Sequence, residues 1–243
     1  MALSNYTKGK LIDLINGDTL GTAPSLFLGF AKLGAEVFPY TNRQAITASY
    51  SGVTNELTFG AVTFPAADST VADIDALHIY DAVSAGNLLL VIDKDALGVA
   101  LQFTITAGQN RNYQAGDLTY DLRKDQDNDI QAVVIGRLAD WLIGTAVTPF
   151  SGAEMALFDG ATEVTSSFAN GRRPVALSNT AFNNTTELNF GTVTGIVSFD
   201  SGRIYDSGGT LLVSNGVLTP AVVNLNDGDS GIINTGQLTF SIT

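Results

Sequence analysis

The sequence predicts an all-β protein built as two tandem antiparallel β-sandwich domains, jelly-roll-like, each preceded by a short α-helix. Short runs rich in Thr, Val, Phe, Ile and Leu recur along the 243 residues, broken by Gly, Asn, Asp and Ser, which is the pattern of a meandering antiparallel sheet. Apolar residues take helical spacing most clearly at two places, and each place opens a series of segments that recurs in the same order.

Leu11, Leu14 and Ile15 share one face of the first helix, and Val134, Leu138, Trp141 and Leu142 do so in the second. Gly17 and Gly144 close these segments, where a left-handed C-cap is favoured. Strands are expected in the first copy at 25–30, 43–50, 55–64, 75–81, 87–92, 98–105 and 117–122. In "ELTFGAVTF", Leu57, Phe59, Ala61 and Thr63 alternate with Glu56, Thr58, Gly60 and Val62. That period of two predicts one buried face along the whole stretch.

The repeat is read from collinear matches. "GKLIDLING" at 9–17 matches "GRLADWLIG" at 136–144, "RQAI" at 43–46 matches "RPVA" at 173–176, and "NELTFGAVT" at 55–63 matches "TELNFGTVT" at 186–194. "HIYD", "GNLLLV" and "GDLTYDL" are then answered by "RIYD", "GTLLVS" and "GQLTFSI". On this register Phe59-Gly60 corresponds to Phe190-Gly191, and the first copy carries an insertion around "PAADSTVAD". Its turn after Tyr80 is two residues longer than the one after Tyr205. The charged, apolar-free "RKDQDND" at 123–129 is the expected linker, placing the domains at 1–125 and 126–243.

Composition narrows the function. Twelve Lys and Arg stand against 24 Asp and Glu, a net charge of -12, which repels phosphate backbones and anionic lipid headgroups. Neither nucleic-acid binding nor membrane insertion is expected, and the most apolar windows fall short of the ~20 residues of a spanning helix. Asp13 interrupts the apolar stretch near the start before a signal-peptide core forms. There is no cysteine, so disulfides, thiolate catalysis and thiolate metal sites are excluded.

The candidate residues divide into scaffold and contact. Asp81 and Asp206 end strands ahead of "AVSAGN" and "SGGT", so their carboxylates are expected to bond turn amides. Phe59 and Phe190 are expected in the core, with Gly60 and Gly191 at bulges or close approaches. Asp125, Asp127 and Asp129 alternate as in a calcium loop, but the sixth and twelfth positions of that loop hold Ile130 and Gly136, against the EF-hand requirement. His78 is the only histidine, and its counterpart is Arg203. With no G-x-S-x-G element, a His-dependent triad is not expected. No particular carboxylate pair points to glycoside hydrolysis, so the chain reads as non-enzymatic, with no cofactor and no metal. Tyr40, Tyr50 and Tyr113 lack aromatic counterparts in the second copy. Together with the stretch near 65–75 they are expected to form a protein interface, where aromatic anchors are enriched.

The repeated pattern resembles a known group: the small β modules of tailed bacteriophages described as phage tail fibre or virion structural proteins. The residues carrying the resemblance are "FGAVT", "HIYD", "GNLLLV" and "GDLTY", then "FGTVT", "RIYD", "GTLLV" and "GQLTF". They cover most of both copies, whereas the family looks like single modules. The resemblance implies a structural protein of a virion, on tail, fibre or capsid (decoration or cement), that contacts other virion proteins and copies of itself. It brings no catalytic residues. The rival class is a glycan-binding module reading a host surface, which requires exposed aromatics bordered by Asp, Asn and Arg at the same place in both copies.

Overall fold

The computed structural model describes residues 2–95, 97–123 and 130–240. The boundary expected at 125/126, with Asp125, Asp127 and Asp129, lies outside the described residues. The protein is all-β, with antiparallel strands and two α-helices, α1 at Asn5–Asn16 and α2 at Ala132–Leu142. Among the described residues, every strand pairing lies wholly within 2–123 or wholly within 130–240.

The two halves repeat one scheme. In the first, Phe27–Lys32 pairs with Ala76–Tyr80 on one side and with both Ala35–Val37 and Gln44–Ala45 on the other. In the second, Ala153–Asp159 is flanked in the same way by Ser201–Asp206, Thr162–Glu163 and Arg173–Pro174. Each helix is fastened to the next strand of its own sheet: Ser4 N donates to Leu89 O, and Gln131 N to Leu212 O. Smaller sheets cover the inner face, where Phe30 meets Phe64 at 4.7 Å between ring centroids and Phe103 at 6.2 Å. Gly17 and Gly144 take φ of 88° and 83°, and the amides of Asp18 and Thr145 reach back to Asp13 O and Asp140 O. Both helices thus end in the glycine-dependent motif that satisfies their last carbonyls.

The closing strand fixes which residues correspond, and it corrects the repeat register. Phe59 N donates to Leu118 O and Gly116 N to Phe59 O; in the second half Asn184 N donates to Leu238 O and Gly236 N to Asn184 O. Because "GDLTY" and "GQLTF" align without a gap, Asn184 occupies the place of Phe59, and Phe190 does not. The amides of Gly60 and Thr185 bond Thr47 O and Ala176 O, while those of Ala67 and Val193 bond Gln109 O and Asp229 O. Hence the stretch at 65–75 is no insertion, since 191–200 is its counterpart. One residue of slip also separates "RQAI" from "RPVA": Gln44 pairs with Leu28 and Arg173 with Met155, so Arg172 is the counterpart of Arg43. Strand sequences ask only for alternating apolar residues, so they match in more than one register.

The alternation expected along 56–64 also breaks. Leu57 and Phe59 are buried, and so are Val62 and Phe64, while Ala61 and Thr63 are exposed. The break falls at Gly60, where a Cβ would run into the Thr47 hydroxyl. One step out of phase turns both ends of the stretch inward.

The halves meet through their helices by reciprocal contacts. Asn16, near the end of α1, exchanges two 2.9 Å hydrogen bonds with the main chain of Leu177 in the second half. Ile143, just past α2, lines a cleft with Thr47 and Ala48 of the first. Gly9 lies against Asn179, and Gly136 against Tyr50. Each helix therefore rests on the equivalent segment of the other half, the mark of an isologous, pseudo-twofold relation. Buried apolar residues of both halves join in one continuous core through α1 and α2.

Candidate functional site

The geometry repeated in both halves is an Arg–Glu–Tyr cluster followed by an Asp turn. Glu36 sits opposite Ala31 on the hairpin, and Arg43 directly precedes the strand sharing that sheet edge, so the two side chains meet. Arg43 Nε and Nη2 donate to the two Glu36 oxygens at 2.6 Å each, and its guanidinium lies 3.3 Å from the Tyr80 ring centroid. Arg172 Nε and Nη2 bond Glu163 at 2.9 and 2.7 Å, 4.0 Å from the Tyr205 ring. The first cluster is the drier one: its Arg and Glu side chains are 5% and 16% exposed, against 31% and 33% in the second. Burial, then the Glu36 charge, pushes the Tyr80 hydroxyl up to about 12. The hydrogen bond from Arg172 holds Glu163 below the ordinary carboxylate range. Both pairs are bidentate and capped by a ring, an arrangement that fixes a hairpin and engages both oxygens of each glutamate.

Asp81 and Asp206 follow these tyrosines. Asp81 accepts from Asn87 N at 2.6 Å and from Asn87 Nδ2 at 2.7 Å. Asp206 Oδ1 accepts from Gly208 N at 3.0 Å and Thr210 N at 2.7 Å. Each carboxylate satisfies the amides of its own turn. His78 is buried against Tyr80, with Nδ1 3.1 Å from the hydroxyl, and burial lowers its pKa. Arg203 instead lies over the Phe158 ring at 3.8 Å.

Phe59 and Phe190 are both buried in the core, at non-equivalent places. Gly191 sits at a register shift opposite Gly231, with φ of 80° and its amide bonded to Asn189 Oδ1, a bulge that favours glycine.

The tyrosines expected at an interface are placed differently. Tyr40 and Tyr113 are only 3% and 8% exposed and belong to the core. Tyr40 packs on Phe30 and Phe64, and, against expectation, it has an aromatic counterpart: Asp68 N bonds Pro39 O as Thr194 N bonds Ser167 O, so Phe168, packed on Phe190, stands in its place. Tyr50 is half-buried against α2, its hydroxyl 3.1 Å from Asn55 Oδ1; its interface lies between the two halves. Side chains larger than their counterparts, as Tyr50 and Tyr113 are, mark unequal packing as readily as a surface. Sequence reasoning missed Glu36, Glu163 and the pairing role of Arg172. The signal was present as "GAEV" at 34–37 and "GATEV" at 160–164, each followed by an arginine.

Among the described residues no group of three or more His, Asp or Glu is placed to hold a metal ion, and no helix is long and apolar enough to cross a membrane. Comparison of the chain with protein-family models and with curated proteins finds no match.

Proposed function

We propose that the chain is a non-enzymatic structural component of a tailed-bacteriophage virion, on tail, fibre or shell, acting through contacts with other virion proteins and with further copies of itself. The observation that carries the reading is the use made of the side chains the two halves share. Arg43, Glu36 and Tyr80, like Arg172, Glu163 and Tyr205, lock hairpins, while Asp81 and Asp206 close turns. What has been kept in duplicate is scaffold.

Contact surface falls on what is not shared. Leu33 and Val53, on hairpin tips, are 86% and 93% exposed, and Ile196, in a loop of the second half, is 84% exposed. Loops can change partner without disturbing the core. The glycan-binding reading asks for the same polar and aromatic set in both halves, but the positions of Asn112 and Tyr113 hold Ile232 and Ile233 in the second.

Mass spectrometry of gradient-purified particles tests the proposal, with multiple copies of the chain per particle as the expected result. Absence of the chain from intact particles would overturn it. The triple variant L33S/V53S/I196S should keep its melting temperature and lose incorporation.

A further inference from the structure

The first half holds a cleft of about 290 Å³ whose walls include Leu77, Ile92, Phe103 and Leu118, with Arg111 and Tyr113 at its polar side. The Tyr113 hydroxyl is buried and makes no well-formed hydrogen bond, a rare condition for a native polar atom. Burial raises its pKa; the Arg111 guanidinium, close by at poor hydrogen-bonding geometry, offsets part of that. The hydroxyl is therefore a donor at neutral pH. Arg111 lies over the rings of Phe103 and Tyr113, at 4.5 and 5.2 Å from their centroids, and among the described residues no carboxylate pairs with it. Lys94 adds a second cation. The two carboxylates on the rim, Asp95 and Asp117, are each engaged by turn amides, Asp95 by those of Leu97 and Val99 and Asp117 by that of Gln114.

The second half supplies an internal control. Its equivalent cleft is lined by Phe199, Val223, Ile232 and Ile233, and Gly231-Ile232-Ile233 stands where the first half has Arg111-Asn112-Tyr113. The framework thus forms its cleft at this place without a buried hydroxyl or a guanidinium. The shared framework therefore requires neither group.

We propose that this cleft binds a small organic carboxylate, its apolar body of one ring or a short chain against Leu77, Ile92 and Leu118 and its anionic head on Arg111 and the Tyr113 hydroxyl. A cleft of this size lies at the lower end of small-molecule sites, which limits the ligand to a single ring or a medium alkyl chain. A carboxylate accepts from both donors at once and completes the hydrogen bonding of the tyrosine.

Titration of the full chain with benzoate and octanoate, followed by ligand-observed NMR, tests the assignment against the neutral benzyl alcohol and octanol. At least one acid should bind about tenfold more tightly than its alcohol, the worth of one charge-assisted contact. Arg111→Met should abolish that preference. Tyr113→Phe should raise the melting temperature of the ligand-free chain and weaken acid binding several-fold, because it deletes an unpaired hydroxyl that only the ligand satisfies. Absence of saturable binding by both acids, equal binding of acid and alcohol, or unchanged acid binding in Tyr113→Phe would each overturn the assignment.

Discussion

Arg43 and Arg172 make the same contacts in different surroundings, so their removal separates the effect of burial from that of geometry. Deleting Arg43 strands a Glu36 carboxylate away from water, and a buried pair broken on one side costs about 3 kcal/mol. Arg172 and Glu163 are a third exposed, where an ion pair contributes about 1 kcal/mol or less. Chemical denaturation should therefore place Arg43→Ala well below Arg172→Ala, and equal losses would show that the first cluster is as wet as the second. His78 carries a pH consequence. Its folded pKa lies below the ordinary 6.5 because burial disfavours the charged ring, an effect that Glu36 and Asp75 only partly oppose and Arg43 reinforces. The unfolded chain thus takes the proton first. Stability contributed by the neutral ring is present above pH 6.5 and drains away as pH falls toward the folded value, at up to about 1.4 kcal/mol per pH unit. In His78→Gln, denaturation midpoints measured across this window should fall less steeply than in the parent.

The two helices end alike, yet their closing glycines stand in different spaces. Both have left-handed backbone, which costs a residue with a Cβ about 1 kcal/mol. At Gly144 an added Cβ meets nothing within 4 Å, whereas at Gly17 it would sit 2.8 Å from Phe150 O, a backbone atom of the other half. Thermal denaturation should show Gly144→Ala losing about the strain alone and Gly17→Ala losing clearly more. Similar losses would mean that the α1 terminus is not pressed against the second half. The bent stretch at 56–64 follows the same logic of close approach: Gly60 is required by the nearness of Thr47, and the change of phase it allows turns Val62 and Phe64 inward.

The reciprocal helix contacts make the two halves interdependent. A core continuous through α1 and α2 has no internal plane at which one half can unfold while the other keeps its buried surface. Differential scanning calorimetry should therefore give a single cooperative transition, with calorimetric and van't Hoff enthalpies in agreement. Two resolved transitions would show that the junction is weaker than the halves it joins.

Much of this architecture was legible in the residues themselves. Helical spacing at Leu11, Leu14 and Ile15, and at Val134, Leu138 and Trp141, located both helices, and their glycines located both ends, because periodicity and backbone permissiveness are local properties. The all-β class and the repeat of "HIYD" with "RIYD" were equally local. Register was not. "NELTFGAVT" and "TELNFGTVT" look like one phrase used twice, but the amide bonds of Asn184 and Gly236 put Asn184, and not Phe190, in the place of Phe59. Any stretch of alternating apolar residues satisfies a sheet face in several alignments, and only cross-strand hydrogen bonding chooses among them. The fates of Tyr40, Tyr50 and Tyr113 were likewise settled by packing, since one side chain serves a core or an internal junction according to what surrounds it.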